Sequence, residues 1–415
     1  MNIRAVVKSI ENGRITLSHK ELLGTWSENA ARFRQGQTVT GIVRSVQDYG
    51  VFIELTPNLS GLADPVPDVQ PGDAVSILKS YGMNLVRLRL WNDPYSEDGV
   101  PYGAGTNDLP RTVAMAKRLK AAGVDWMLDL HYSDFWADPG KQTIPKSWRG
   151  MEPKALAGAV YDFTFSVMTT LASSGLLPTI TAVGNELSNG LLWPYGRTPN
   201  FENIVLFLNA GIQAVRDAAP GVKIMLHLDN GGNNTLYRTW FDSYFASGGK
   251  DFDYIGLSYY PFWHGTMDDL RNNMQDLALR YHKDMIVAEV STGFTLEDYA
   301  SYEKLASEER KGMATKRELA EKVPYPMTPE GQSTFMLDIM KLIRDVPENR
   351  GKGFVYWEPA WLPVPRCGWA NEAALAYTGE QGPGGNEWAN QALFDYDGNA
   401  LPALKTIRDF GCDFD

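Results

Sequence analysis

Cysteine is nearly absent: there are two in 415 residues, Cys367 and Cys412. Two thiols exclude a disulfide framework and a thiolate metal site, and leave at most one bridge between them. No run of 18 apolar residues occurs, so no membrane-spanning helix is expected. Positive charge is the third shortage. Lys and Arg number 39 against 50 Asp and Glu, a formal net of -11, which argues against nucleic acid as the main partner. The shortage is uneven, because residues 1–60 hold seven Lys/Arg and five Asp/Glu, a net of +2 that leaves -13 for the rest. The apolar run after Met1 meets Glu11 and Arg14 too soon for a secretion signal, so the chain as written is expected in the cytoplasm. Its length allows one large barrel and a small module.

Between these absences lies a regular alternation. Asn84–Leu90, Trp126–His131, Thr179–Gly184, Lys223–Leu228, Tyr254–Tyr260, Met285–Val290 and Gly353–Trp357 are short apolar runs of strand character. Helical segments separate most of them. In one, Asp108 can cap, Pro110 sits in the first turn and Gly123 ends the helix. The pattern predicts a parallel sheet covered by helices, a (β/α)8 TIM barrel with one strand unaccounted for before Asn84. A β-rich segment precedes it, with a hairpin over Thr38–Val46 and Val51–Leu55.

Two of the runs deliver carboxylates: Glu186 just beyond the third and Glu289 near the end of the sixth. Strand ends form the active face of such a barrel. A glutamate pair there suits glycoside hydrolysis, one as acid/base and one as nucleophile, with pKa values driven apart. Arg87 and Arg89 share a strand face, and either could hold the nucleophile ionised. Ser258 and Tyr260 also share a face, from which the tyrosine hydroxyl could orient Glu289. Asn185 is placed to bond a sugar hydroxyl, and Trp357 offers a flat floor for a ring. Glu358 is a rival carboxylate that alternation turns away from Trp357.

Residues 62–415 resemble glycoside hydrolase family 53. The matching runs are Val86–Pro94, Asp129–Gln142, Gly184–Glu186 with Trp193–Pro194, Ser258–Trp263 and Tyr356–Trp361. The resemblance implies a retaining endo-β-1,4-galactanase acting on galactan or arabinogalactan, without a cofactor, with Glu186 as acid/base and Glu289 as nucleophile. It further implies substrate contacts by Arg89, Trp91, Asn92, His131, Asp134, Trp136, Asn185, Tyr260, Trp263 and Trp357. Another barrel endo-glycanase, mannanase-like, is the near alternative. Bacterial relatives often bind calcium after the nucleophile strand. Here Ser301–Lys322 is a Lys/Glu-rich run that reads as a solvated helix, so no metal is expected.

Residues 1–60 resemble the RNA-binding OB-fold module of ribosomal small-subunit protein one, as the tail of one module and the head of the next. Tyr49 and Phe52 would stack bases and Arg44 would meet a phosphate, although the small positive charge makes RNA an unlikely partner. The segment between Val51 and Asp64 is the expected stand-in for the barrel's first strand, giving domains at 1–60 and 61–415.

Overall fold

In the computed structural model, described residues are 5–63 (apart from 12–13, 19, 24, 35–36, 38, 40, 48–49 and 57–58), 73–297, 317–363, 368–381 and 384–412. Two compact units divide the chain, Met1–Ile77 and Leu78–Asp415.

In the first unit, β1 (Val6–Glu11) pairs with β2 (Arg14–Ser18). β3 (Ile42–Gln47), β4 (Gly50–Thr56) and β5 (Leu59–Ala63) form a separate antiparallel sheet in the order 3-4-5. The hairpin expected from alternation is present. The stand-in role is corrected: β4 and β5 satisfy their backbone groups with each other and with β3, not in the parallel sheet. Arg44 is corrected as well, since its guanidinium is paired with Glu54. Tyr49 and residues 64–72 lie outside the described residues, as do 298–316 and Cys367, which carry the calcium-loop and disulfide questions.

The second unit holds the seven expected strands: β6 (Leu85–Leu90), β7 (Asp125–Leu130), β8 (Ile180–Val183), β11 (Lys223–Leu228), β12 (Tyr254–Tyr259), β13 (Asp284–Val290) and β14 (Gly351–Tyr356). A two-residue ribbon, β9 (Gly190–Leu191) with β10 (Gly196–Arg197), decorates the loop after β8. The seven run in the order 6-7-8-11-12-13-14, every neighbour parallel. Helices cross between them because parallel neighbours need a long connection. The helix Leu109–Ala122 starts at Asp108, whose side chain accepts from Arg111 N, and stops at left-handed Gly123. Pro153–Ser173 is long and apolar enough to cross a membrane by length and composition alone. Its Leu156, Val160, Val167 and Leu171 are nonetheless buried, and it packs along Phe201–Ala218.

The sheet curls until Cα atoms of its edge strands, β6 and β14, come within 8 Å. Alternation then stacks the interior in layers. Met127, Ile180, Ala182, Met225, Ile286 and Ala288 close the lower barrel, with Leu85, Tyr254 and Val355 packed against them. Two residues further along, the same strand faces present Arg87, Asp129 and His227, and β12 adds Ser258 four residues beyond Tyr254. Charge thus sits on an apolar plug.

Candidate active site

Strand alternation accounts for every member of the polar layer but one. On β13, Ile286 and Ala288 already face inward, so Glu289 should face out. A register shift intervenes: Leu257 pairs with Val287, but Ser258 pairs with Glu289. This bulge turns Glu289 toward the barrel axis, as bulges beside functional sites often do. Glu186 is turned by other means. Gly184 leaves β8 at φ 86°, Glu186 itself is left-handed at φ 47°, and a 3-10 turn over Leu187–Asn189 follows. Gln142 Nε2 donates to Asn185 O at 2.8 Å and braces this turn from the neighbouring loop.

One carboxylate oxygen of Glu186 and one of Glu289 lie within 4.8 Å of each other. Both side chains are buried. Arg87 Nη1 donates to Glu289 Oε1 at 2.7 Å and Tyr260 Oη donates to Glu289 Oε2 at 2.8 Å, so each oxygen has a donor. Nη2 of Arg87 donates to Asp129 Oδ2 at 2.8 Å and to Asn185 Oδ1 at 2.6 Å. Burial would raise the Asp129 carboxyl, yet Arg87 and His131 outweigh it and hold the pKa at about 2. Glu186 has the opposite environment. Burial first, then the charges of Glu289 and Asp229, push its pKa well above the usual carboxylate value. The pair is thus driven toward one protonated and one ionised member. His227 also lies within the 4.8 Å group, a spacing that could hold a cation, but the Arg87 guanidinium already supplies positive charge there.

A cavity of about 390 Å³ opens above the pair. Asn185, Tyr260, Trp136, Trp263 and Trp357 line it beside the two glutamates. Five other expected contacts are not among the lining residues. Trp91 is fully buried in an aromatic cluster with Tyr102 and Phe135. Its Nε1 donates to His131 Nδ1 at 3.3 Å, and Ala137 N donates to the same atom at 3.0 Å. His131 therefore carries its proton on Nε2, 2.9 Å from Asp129 Oδ2, and has no ring nitrogen left for a sugar. Asp134 accepts from Asp93 N and Lys146 N, which ties two loops together. Asn92 N donates to Ser133 O behind the wall. Arg89 pairs with Glu358 and lies over the Trp136 ring at 4.3 Å and the Trp357 ring at 5.2 Å. Of the two arginines, Arg87 is thus the one that meets Glu289.

Sequence reasoning missed Trp388, Asp229 and His227. Trp388 comes from the segment after β14 and packs tilted against Tyr260 and edge-on against Trp357, at 5.3 and 6.3 Å between centroids. Its only signal is an aromatic in a Gly-rich stretch. His227 on β11 and Asp229 just beyond its end follow Met225 at two-residue steps, so inward alternation could have found both.

A curled parallel sheet, two close carboxyls at its strand ends and a tryptophan-lined cleft define a barrel glycoside hydrolase. The chain belongs to glycosyl hydrolase family 53, whose model matches residues 61–407. It is 35% identical over 355 residues to the endo-beta-1,4-galactanase of Bacillus subtilis (strain 168), covering 81% of this chain and 79% of that one. It is 32% identical over 358 residues to an arabinogalactan endo-beta-1,4-galactanase of Thermothelomyces thermophilus, covering 85% and 92%. Among solved structures, the Ignisphaera aggregans GH53 catalytic domain superposes with a TM-score of 0.72 at 40% identity, over 81% of this chain and 88% of that one.

Proposed function

We propose that this protein hydrolyses internal β-1,4-galactosidic bonds of galactan or arabinogalactan with retention of configuration. The carrying observation is the approach of Glu186 and Glu289 to within 4.8 Å. Retaining enzymes hold their carboxyls about 5–5.5 Å apart and inverting ones about 6.5–9.5 Å, to leave room for a water. In the first step Glu289 attacks the anomeric carbon. The glycosidic C–O bond breaks, and the Glu186 proton goes to the leaving oxygen. In the second step Glu186 takes a proton from water, whose oxygen displaces Glu289 from the sugar. Arg87 and Tyr260 each donate to one oxygen of Glu289 and so aim it. Trp136, Trp357 and Trp388 offer ring faces to the sugars.

The family names carried by the relatives favour galactan over mannan. Proton NMR of linear β-1,4-galactan hydrolysis, followed from the first minute, is expected to show the β-anomer first. An initial α-anomer would end the retaining assignment, and faster release of reducing ends from mannan would move the substrate class. The OB-fold-like reading of residues 1–60 has the β1–β2 pair and the β3–β4–β5 sheet to draw on, but Arg44 spends its charge on Glu54.

A further inference from the structure

Beneath the catalytic pair runs a chain of four side chains: Glu186, Ser258, His227 and Asn185. Their separations are 2.6 Å from Glu186 Oε1 to Ser258 Oγ, 2.8 Å from Ser258 Oγ to His227 Nε2, and 2.9 Å from His227 Nδ1 to Asn185 Oδ1. Ser258 and His227 are completely buried, so water cannot complete the bonding. The direction of each proton can be worked out from the far end.

Asn185 Nδ2 donates to Ala137 O at 2.8 Å, which points the amide oxygen at Arg87 and His227. Arg87 can only donate. The two hydrogens of its Nη2 are taken by Asp129 Oδ2 at 2.8 Å and Asn185 Oδ1 at 2.6 Å, the two shortest of its contacts. His227 Nδ1, at 3.3 Å from the same nitrogen, receives none. Facing the carbonyl oxygen of Asn185, Nδ1 must carry its own proton. The ring is neutral, because burial and then Arg87 hold its pKa well below the usual value. Nε2 is therefore a bare lone pair, and the Ser258 hydroxyl donates to it. The serine oxygen is left with only lone pairs to offer Glu186, and a contact of 2.6 Å then requires the proton to sit on Glu186.

We propose that Ser258 and His227 are positioning residues that keep the catalytic proton on Glu186 by presenting it with an acceptor. This rests on the reading of Glu186 as the acid. When Glu186 ionises, one serine proton must serve two acceptors, the carboxylate and His227 Nε2, and one of them goes unsatisfied. That penalty falls on the ionised form alone and raises the acid's pKa. A serine that simply donated to the carboxylate would lower it.

The other groups facing Glu186 are Glu289 from β13, Asp229 after β11, Asp138 from the loop after β7, Tyr260 and Tyr237, and the Arg87 guanidinium from β6. Those facing His227 are Arg87, Asp129, His131 and His264. All are left in place when only His227 is changed.

The experiment has two arms on the full chain. The first is ¹⁵N–¹H correlation of histidine-labelled protein, which holds five histidines. His227, assigned by its absence from His227→Leu or His227→Gln, is expected as the Nδ1–H tautomer from pH 5 to 7; an Nε2–H or doubly protonated ring overturns the proposal. This arm needs no substrate, so it stands even if galactan proves the wrong polymer. The second arm is the pH profile of kcat/KM. His227→Leu removes the acceptor and is expected to move the alkaline limb down by roughly one pH unit, about the worth of one hydrogen bond. His227→Gln can restore an acceptor and should recover part of that. An unmoved or raised limb in His227→Leu overturns the proposal; if neither variant folds, the tautomer alone decides.

Discussion

At the residue scale, the two glutamates differ in environment more than in position. Glu186→Gln and Glu289→Gln are each expected to fold and to lose nearly all hydrolysis. Azide should revive Glu289→Ala as an inverted galactosyl azide and should act differently on a Glu186 variant. Undiminished turnover by either Gln variant would remove that residue from the mechanism. Glu186 also has a stability signature. Its folded pKa is raised, so its contribution to stability is full below the ordinary 4.5 and is lost as pH rises toward the folded value. Glu186→Gln should therefore gain in melting temperature relative to wild type as pH increases above 4.5. A constant difference would contradict the raised pKa. Asp129 has the opposite sign. Held at about 2 against an ordinary 3.8, it stabilises the fold above pH 4 and loses that contribution as pH falls from 4 through 2. Denaturant titrations of Asp129→Asn should lack this part of the acid slope, on the order of 2 kcal/mol.

At the element scale, the strands were legible because each is an apolar run with turn signals at its ends, and all seven were placed from those runs. The helix Leu109–Ala122 was legible from Asp108 and Gly123 for the same reason. Alternation also ranked Ser258 with Tyr260 and turned Glu358 from Trp357. It could not choose between Arg87 and Arg89, which share a face and differ only in depth. Nor could it foresee that Glu289 enters the barrel through a bulge, since a bulge is set by pairing with β12 and leaves no local mark. The five expected contacts that do not line the cavity above the glutamates share one cause: a matching motif marks a residue's place in the chain but not whether its side chain faces the cleft or the wall behind it. The turn after β8 can be tested directly. Gly184 has φ 86°, and a methyl there would sit 2.6 Å from Leu187 Cδ2. Gly184→Ala is expected to cost roughly 1–3 kcal/mol of stability and to lower kcat more than it raises KM, because it displaces Glu186. An unchanged melting curve would show that the turn relaxes.

At the scale of the whole molecule, the barrel is a sheet of seven strands whose edges approach without a hydrogen-bonded strand between them among the described residues. β4 and β5, the nearest candidates in sequence, spend their backbone bonds in their own antiparallel sheet. The two glutamates stand off the edge strands themselves, Glu186 beyond the third strand and Glu289 on the sixth, next to β14. Arg87 is the exception: it stands on β6 itself. An edge strand opens at lower free energy than a central one. Amide hydrogen exchange should accordingly proceed from β6 and β14 inward, with the middle strand β11 the slowest; uniform protection across all seven would mean the edges are sealed. Whenever β6 frays, Glu289, Asp129 and Asn185 lose the guanidinium that ties them together. Heat should then silence the enzyme some degrees before it unfolds, reversibly, with the aim of Glu289 as the first thing lost.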